Sequence, residues 1–79
     1  MATAFVLINT ELGSEKEVLD ELRTIDAVKE SYLVYGVYDI VAKVSADTMY
    51  NLKEIVTWKV RLIDKLQSTT TMILIDGEK

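Results

Sequence analysis

Val28–Val44 reads VKESYLVYGVYDIVAKV, and the glycine inside it decides how the chain is folded. The residues on either side are largely β-branched, aromatic or aliphatic, the kinds that fill strands. The pattern predicts a strand at Glu30–Tyr35, a turn or bulge at Gly36, and a strand at Val37–Val44. Strands joined by so short a link must pair antiparallel, because parallel neighbours need a crossover of roughly a dozen residues or more. Asp39 sits close behind the glycine, in a chain with no histidine and no cysteine to work beside it.

Upstream, Thr3–Asn9 (TAFVLIN) is short, apolar and partly β-branched, the pattern of a strand buried on both faces. A helix follows in ELGSEKEVLDELRTI. Ser14 and Glu17 have the spacing of a capping box, and Val18, Leu19, Leu22 and Ile25 fall on one helical face. Downstream, SADT opens a second helix with Ser45 or Asp47 available as cap. Its apolar stripe is Leu52, Ile55, Val56, Val60 and Ile63. A last strand is expected at Thr69–Ile75 (TTTMILI), ahead of a polar tail, DGEK. The order is therefore βαββαβ.

The two halves also resemble each other. Leu22–Ser31 (LRTIDAVKES) aligns with Val60–Thr69 (VRLIDKLQST), matching Arg23 to Arg61, Ile25 to Ile63 and Asp26 to Asp64. Order and repeat together predict an α+β chain of the ferredoxin-like type: a four-stranded antiparallel sheet with two helices on one face. Such a sheet has a second face. In the first strand Ala4, Val6 and Ile8 point one way and Phe5 and Leu7 the other, yet the helices cover only one set. The remaining apolar face is expected to pack on another copy of the chain.

Composition narrows the function. A chain of 79 residues buries only about 60% of its unfolded surface, so small domains lean on disulfides, metals or partners. Without cysteine or histidine, disulfides and a zinc centre are not expected, which leaves self-association. Nine basic and thirteen acidic residues give a net charge of −4 with no basic cluster, so direct nucleic-acid binding by this chain is not expected. MATAFVLINT has no basic flank or cleavage-like segment, and no apolar run is long enough to span a bilayer. A soluble cytoplasmic protein without membrane attachment is the expectation. No nucleophile–base arrangement, phosphate loop or metal cluster is visible. Glu15, Glu17, Asp20 and Glu21 read as the solvated face of a helix. No catalytic residue, metal or cofactor is assigned.

Three stretches carry a family resemblance: LRTIDAVKESYLVYG, the G-x-Y-D of Gly36–Asp39 running into IVAKV, and the T-x-T of Thr69–Thr71 running into MILI. In this order and spacing, over Ala4–Ile75, the chain resembles the RAM (regulation of amino acid metabolism) domain of the Lrp/AsnC transcriptional regulators. The whole of residues 1–79 then reads as one effector-binding and oligomerisation domain of the RAM/dimeric α+β barrel type. The family's helix-turn-helix domain has no counterpart here, so a stand-alone module is expected. Where the family often has a Pro-Gly-Val-like turn after the second helix, this chain has DKLQS.

The resemblance implies an amino-acid effector held between subunits. An ammonium needs carboxylate or carbonyl acceptors, and a carboxylate needs amide or hydroxyl donors. By resemblance the first falls to Asp39 and the second to amides around Gly36, Val37 and Tyr38. Thr69 and Thr71 offer hydroxyls, and Asp64, Gln67 and Ser68, on the loop feeding the last strand, are placed to read the side chain. The residues alone leave a second role open for Asp39, as acceptor for turn amides or a neighbouring subunit. The implied function is amino-acid sensing by a homo-oligomer, a dimer through the sheet face and an assembly of such dimers, that modulates transcription by co-assembly with full-length regulators. Two alternatives stay open: an interaction protein without ligand, and a small enzyme of the dimeric α+β barrel type.

Overall fold

The computed structural model describes residues 1–75, so the DGEK tail lies outside the described residues. Four strands, β1 (Ala2–Thr10), β2 (Val28–Leu33), β3 (Ile40–Ala46) and β4 (Leu66–Ile73), form one antiparallel sheet in the order β2–β3–β1–β4. Helix α1 (Glu15–Leu22) crosses between β1 and β2; α2 (Met49–Ile55), continued by a π-helical turn at Val56–Val60, crosses between β3 and β4. This is the expected α+β sandwich.

Alternation along β1 builds the core. Ala4, Val6 and Ile8 are fully buried against the helices with Ile40, Ala42 and Val44 of β3. Val18, Leu19 and Leu22 of α1, and Leu52, Val56 and Val60 of the second helical segment, close over them. The opposite face is only half covered. Phe5, Leu7 and Val41 are partly exposed at its centre, with Tyr32 53% and Met72 48% exposed beside them. β1 is thus buried on one face, not both, within the single chain. Polar pairs rim this open face: Thr3 Oγ1 with Ser45 Oγ (3.1 Å), Asn9 Nδ2 donating to Ser68 Oγ (3.4 Å), and Lys43 with Glu30 (3.5 Å).

The internal repeat has a structural counterpart. Arg23 and Arg61 end their helical segments with nearly the same backbone, φ −70° and ψ −12° against φ −71° and ψ −14°. Ile25 donates its amide to Leu22 (3.1 Å) as Ile63 does to Val60 (3.2 Å). The helix-ending bond differs: the Arg23 amide reaches back four residues to Leu19, the Arg61 amide five residues to Val56. The second half therefore carries one extra residue in its last turn.

Local expectations are corrected at several points. β2 runs Val28–Leu33 and β3 runs Ile40–Ala46, so the link at Gly36 is a loop spanning 34–39 rather than a tight turn. At the end of this loop the Asp39 amide donates to Ile8 of β1 (2.9 Å) while its carbonyl accepts from Val34 across the hairpin (2.9 Å). β4 begins at Leu66 and ends at Ile73. Ser14 and Glu17 form no capping box: Ser14 caps nothing with its side chain, and the Glu17 carboxylate is drawn to Lys65 Nζ (3.0 Å). Neither Ser45 nor Asp47 caps α2; Thr48 Oγ1 accepts from the Asn51 amide (3.0 Å), while Ser45 is held inside β3.

Candidate functional site

Asp39 stands where three segments meet. Its amide donates to Ile8, its carbonyl accepts from Val34 (2.9 Å), and its Oδ2 accepts from the Thr10 amide (2.9 Å) and, weakly, from Thr10 Oγ1 (3.4 Å). The carboxylate thus satisfies the last amide of β1 and ties that strand to the 34–39 loop. Among the described residues Oδ1 has no hydrogen-bond partner, and the Gly36, Val37 and Tyr38 amides make no backbone hydrogen bond. Between this loop and the start of α1 lies a hollow of about 480 Å³, lined by Leu33, Val34, Tyr35, Gly36 and Asp39 with Glu15 and Lys16. It offers two carboxylates, one ammonium and, of the three unpaired loop amides, a lining residue only at Gly36, since Val37 and Tyr38 do not border it; the mixed charge suits a zwitterion. Gly36 itself has φ 159°, close to extended, and a Cβ there would meet nothing within 4 Å. Space within the chain does not require a glycine at this point.

The other expected residues lie across β1. Thr69 pairs with Ile8 and Thr71 with Val6, so both face the helices. They line a groove of about 360 Å³ between β4 and the second helical segment, together with Lys53, Thr57 and Arg61 over a floor of Leu52, Val56 and Ile73. Ser68 points to the open face, where Asn9 donates to it. Gln67 is the extra residue of a bulge, since Asn9 pairs with Ser68 and Thr10 with Leu66. Gln67 and Ser68 therefore belong to β4 and not to a loop. Asp64 closes its own turn by accepting the Lys65 amide (3.0 Å), and Lys65 occupies the left-handed region at φ 69°.

The structure thus gathers Gly36 and Asp39 at one hollow and Thr69 and Thr71 at another. Roughly two strand spacings, about 10 Å, separate the backbones of the two groups. Glu15, Lys16, Lys53, Thr57 and Arg61 were not reached from sequence. Lys53, Thr57 and Arg61 do follow one another at intervals of four, the spacing of a single helical face.

On the open face Tyr32 Oη donates to Glu30 (2.7 Å). That hydrogen bond, and then the Lys43 charge, holds the Glu30 carboxyl below the usual glutamate range; the same bond raises Tyr32. Lys65 is raised by its hydrogen bond and charge contact with Glu17. Among the described residues no cluster of three or more His, Cys, Asp or Glu is placed to hold a metal, and no helix is long and apolar enough to cross a membrane.

Residues 3–79 match the family model of the Lrp/AsnC ligand binding domain. An HTH-type transcriptional regulator of Pyrococcus furiosus is 38% identical over 74 residues, covering 90% of this chain and 49% of the relative. The crystal structure of FFRP-DM1 superposes with a TM-score of 0.90 at 45% identity, covering 95% of this chain and 100% of that one. Escherichia coli AsnC superposes with a TM-score of 0.88 at 28% identity, covering 96% of this chain and 52% of that one. The chain spans about half the length, or less, of the curated regulators it matches.

Proposed function

The chain belongs to the Lrp/AsnC ligand-binding domain family, and from that premise we propose that it is an amino-acid-sensing and assembly module. The observation that carries the reading is the hollow at Asp39. There a carboxylate anchored through one oxygen, Glu15, Lys16 and Gly36 of the 34–39 loop meet at the rim of the sheet. An amino acid's ammonium would lie against Asp39 Oδ1 and its carboxylate against the loop amides and Lys16. Asp64, Gln67 and Ser68 follow at the same end of the sheet, where a neighbouring subunit would bring them to the ligand.

The half-bare sheet face supports dimerisation. Phe5, Leu7, Val41, Tyr32 and Met72 form an apolar centre inside a polar rim, the anatomy of an interface. Dimers would assemble further through the loop end, and a ligand at that junction shifts assembly by binding one arrangement better than another. Co-assembly with full-length regulators would carry the signal to transcription in the cytoplasm, this chain neither touching DNA nor catalysing a reaction. A second reading, assembly without ligand, is favoured by one observation: Asp39 already has a structural role on Thr10.

Native mass spectrometry with and without the twenty amino acids separates the two. A discrete oligomer that gains one ligand mass per site, or changes size, supports sensing. The same oligomer with nothing bound supports assembly alone, and a monomer in both samples removes the argument from the open face.

A further inference from the structure

The groove between β4 and the second helical segment differs in charge from the four other hollows. Its two charged lining residues, Lys53 and Arg61, are both cations. Among the described residues the ion pairs use Lys16, Lys43 and Lys65, so neither groove cation is neutralised. Four other surface hollows each include at least one carboxylate. In a chain with thirteen acidic and nine basic residues, a groove that excludes carboxylates and collects two free cations is set for an anion.

The remaining lining fixes what kind of anion. Leu52, Val56 and Ile73 make an apolar floor, and the Thr57, Thr69 and Thr71 hydroxyls stand on both walls. The π-helical turn, where the Arg61 amide reaches back to Val56, forms one side of it through Val56 and Thr57. Such turns recur at functional sites. We infer that this groove is a second binding site, for a small organic carboxylate with an apolar body and no ammonium group. Arg61 meets the carboxylate with a planar pair of donors and Lys53 adds a point charge. The threonines serve a neighbouring oxygen, such as a 2-oxo group, and the alkyl body lies on the floor. An ammonium there would face two like charges with no carboxylate to receive it.

This inference is independent of amino-acid binding at Asp39, and one titration reads the two regions separately. The full chain, labelled with ¹⁵N, is titrated with 4-methyl-2-oxopentanoate and, separately, with leucine, which has the same alkyl body. The oxo acid is expected to move the Thr57, Arg61, Thr69 and Thr71 amides saturably and to change the fluorescence of Trp58, the one tryptophan. Arg61→Gln should weaken this binding by about tenfold or more, the scale of losing hydrogen bonds to a charged group. Lys59→Gln, which removes a charge from the same segment but borders a different hollow, should leave it unchanged. The inference is overturned if the oxo acid moves none of these amides, if leucine moves them with equal affinity, or if Lys59→Gln weakens binding as much as Arg61→Gln. It is also overturned if the same amides shift on dilution without ligand, since a second copy would then fill the groove. Leucine shifts confined to the 34–39 loop bear only on the Asp39 hollow.

Discussion

Replacing Asp39 with alanine removes the acceptor for the Thr10 amide at the end of β1. That amide belongs to a residue only 5% exposed, and its hydrogen bond to Oδ2 is 2.9 Å long. Truncation leaves a poorly hydrated donor unpaired, which costs about 1–3 kcal/mol. For a chain of this size each kcal/mol moves the unfolding midpoint by about 4–8 °C, so a loss near 2 kcal/mol is about 8–16 °C. Asp39→Asn keeps a carbonyl in place and gives up only the charge on the acceptor, so its loss should be less than half as large. Thr10→Val tests the weaker 3.4 Å contact from Oγ1 while leaving the amide intact, and should fall within about 0.5 kcal/mol of the parent. Circular dichroism melts at one fixed protein concentration give the ranking, since association makes the midpoint concentration-dependent. Amide exchange at Thr10 should accelerate in Asp39→Ala alone of the three. Alanine and asparagine variants of equal stability, or an alanine variant indistinguishable from the parent, would refute the account of Asp39 as the residue that satisfies β1.

Other perturbations test other parts of the structure. Leu7→Glu sets a charge in the centre of the open sheet face; with dimerisation through that face, as proposed, size-exclusion chromatography should show monomers of unchanged circular dichroism. Lys65→Gly relieves a left-handed backbone at φ 69° that residues with a Cβ adopt at a cost. Its melting point should rise by a few degrees even though the contact with Glu17 is lost, and a fall would mean that this contact outweighs the strain. The Glu30 carboxyl is held below its ordinary value by Tyr32 and Lys43, so the folded state binds its proton less readily than the unfolded chain. Its contribution is complete above the unfolded glutamate value and is lost as pH falls through the lowered folded one. Glu30→Gln should flatten the acid limb of stability against pH in that window and leave the neutral region little changed.

Much of the architecture could be read from local chemistry, because the core depends on it directly. Alternation in Ala4–Ile8 and the helical stripe through Val18, Leu19 and Leu22 demand one sheet face and one helix face, whatever else the chain does. Element ends were less legible because distant partners set them. Asp39, just before β3, divides its backbone bonds between Ile8 and Val34, and the Glu17 carboxylate of the expected Ser14–Glu17 box goes to Lys65, 48 residues away. The candidate site was legible by residue type but not by place. T-x-T and G-x-Y-D look like parts of one ligand shell on paper. The register of β4 on β1 turns Thr69 and Thr71 toward the helices, away from the 34–39 loop.

The repeat shows how one chain comes to have two such different hollows. Both halves end a helical segment on a fully buried residue, Leu22 or Val60, followed by an arginine and then an isoleucine whose amide turns back to it. In the first half the arginine amide closes an ordinary α-turn, and the chain passes into β2 through Ala27, whose carbonyl holds the Ser45 amide (2.9 Å). In the second half the extra residue widens the last turn, and Lys65 must adopt a left-handed backbone before β4 can join β1. β2 and β4 are both edge strands of the sheet, but β2 leads into the 34–39 loop that Asp39 anchors, whereas β4 lies beside the widened helical turn. Removing one residue from the π-helical turn, for instance by deleting Lys59, which does not line the groove, would restore the α-turn of the first half and rotate Lys53 relative to Arg61. If the groove depends on that turn, the deletion should abolish oxo-acid binding there while leaving the 34–39 loop amides where they are. A deletion variant that still folds and still binds at full affinity would show that the turn is a relic of the repeat with no part in the groove.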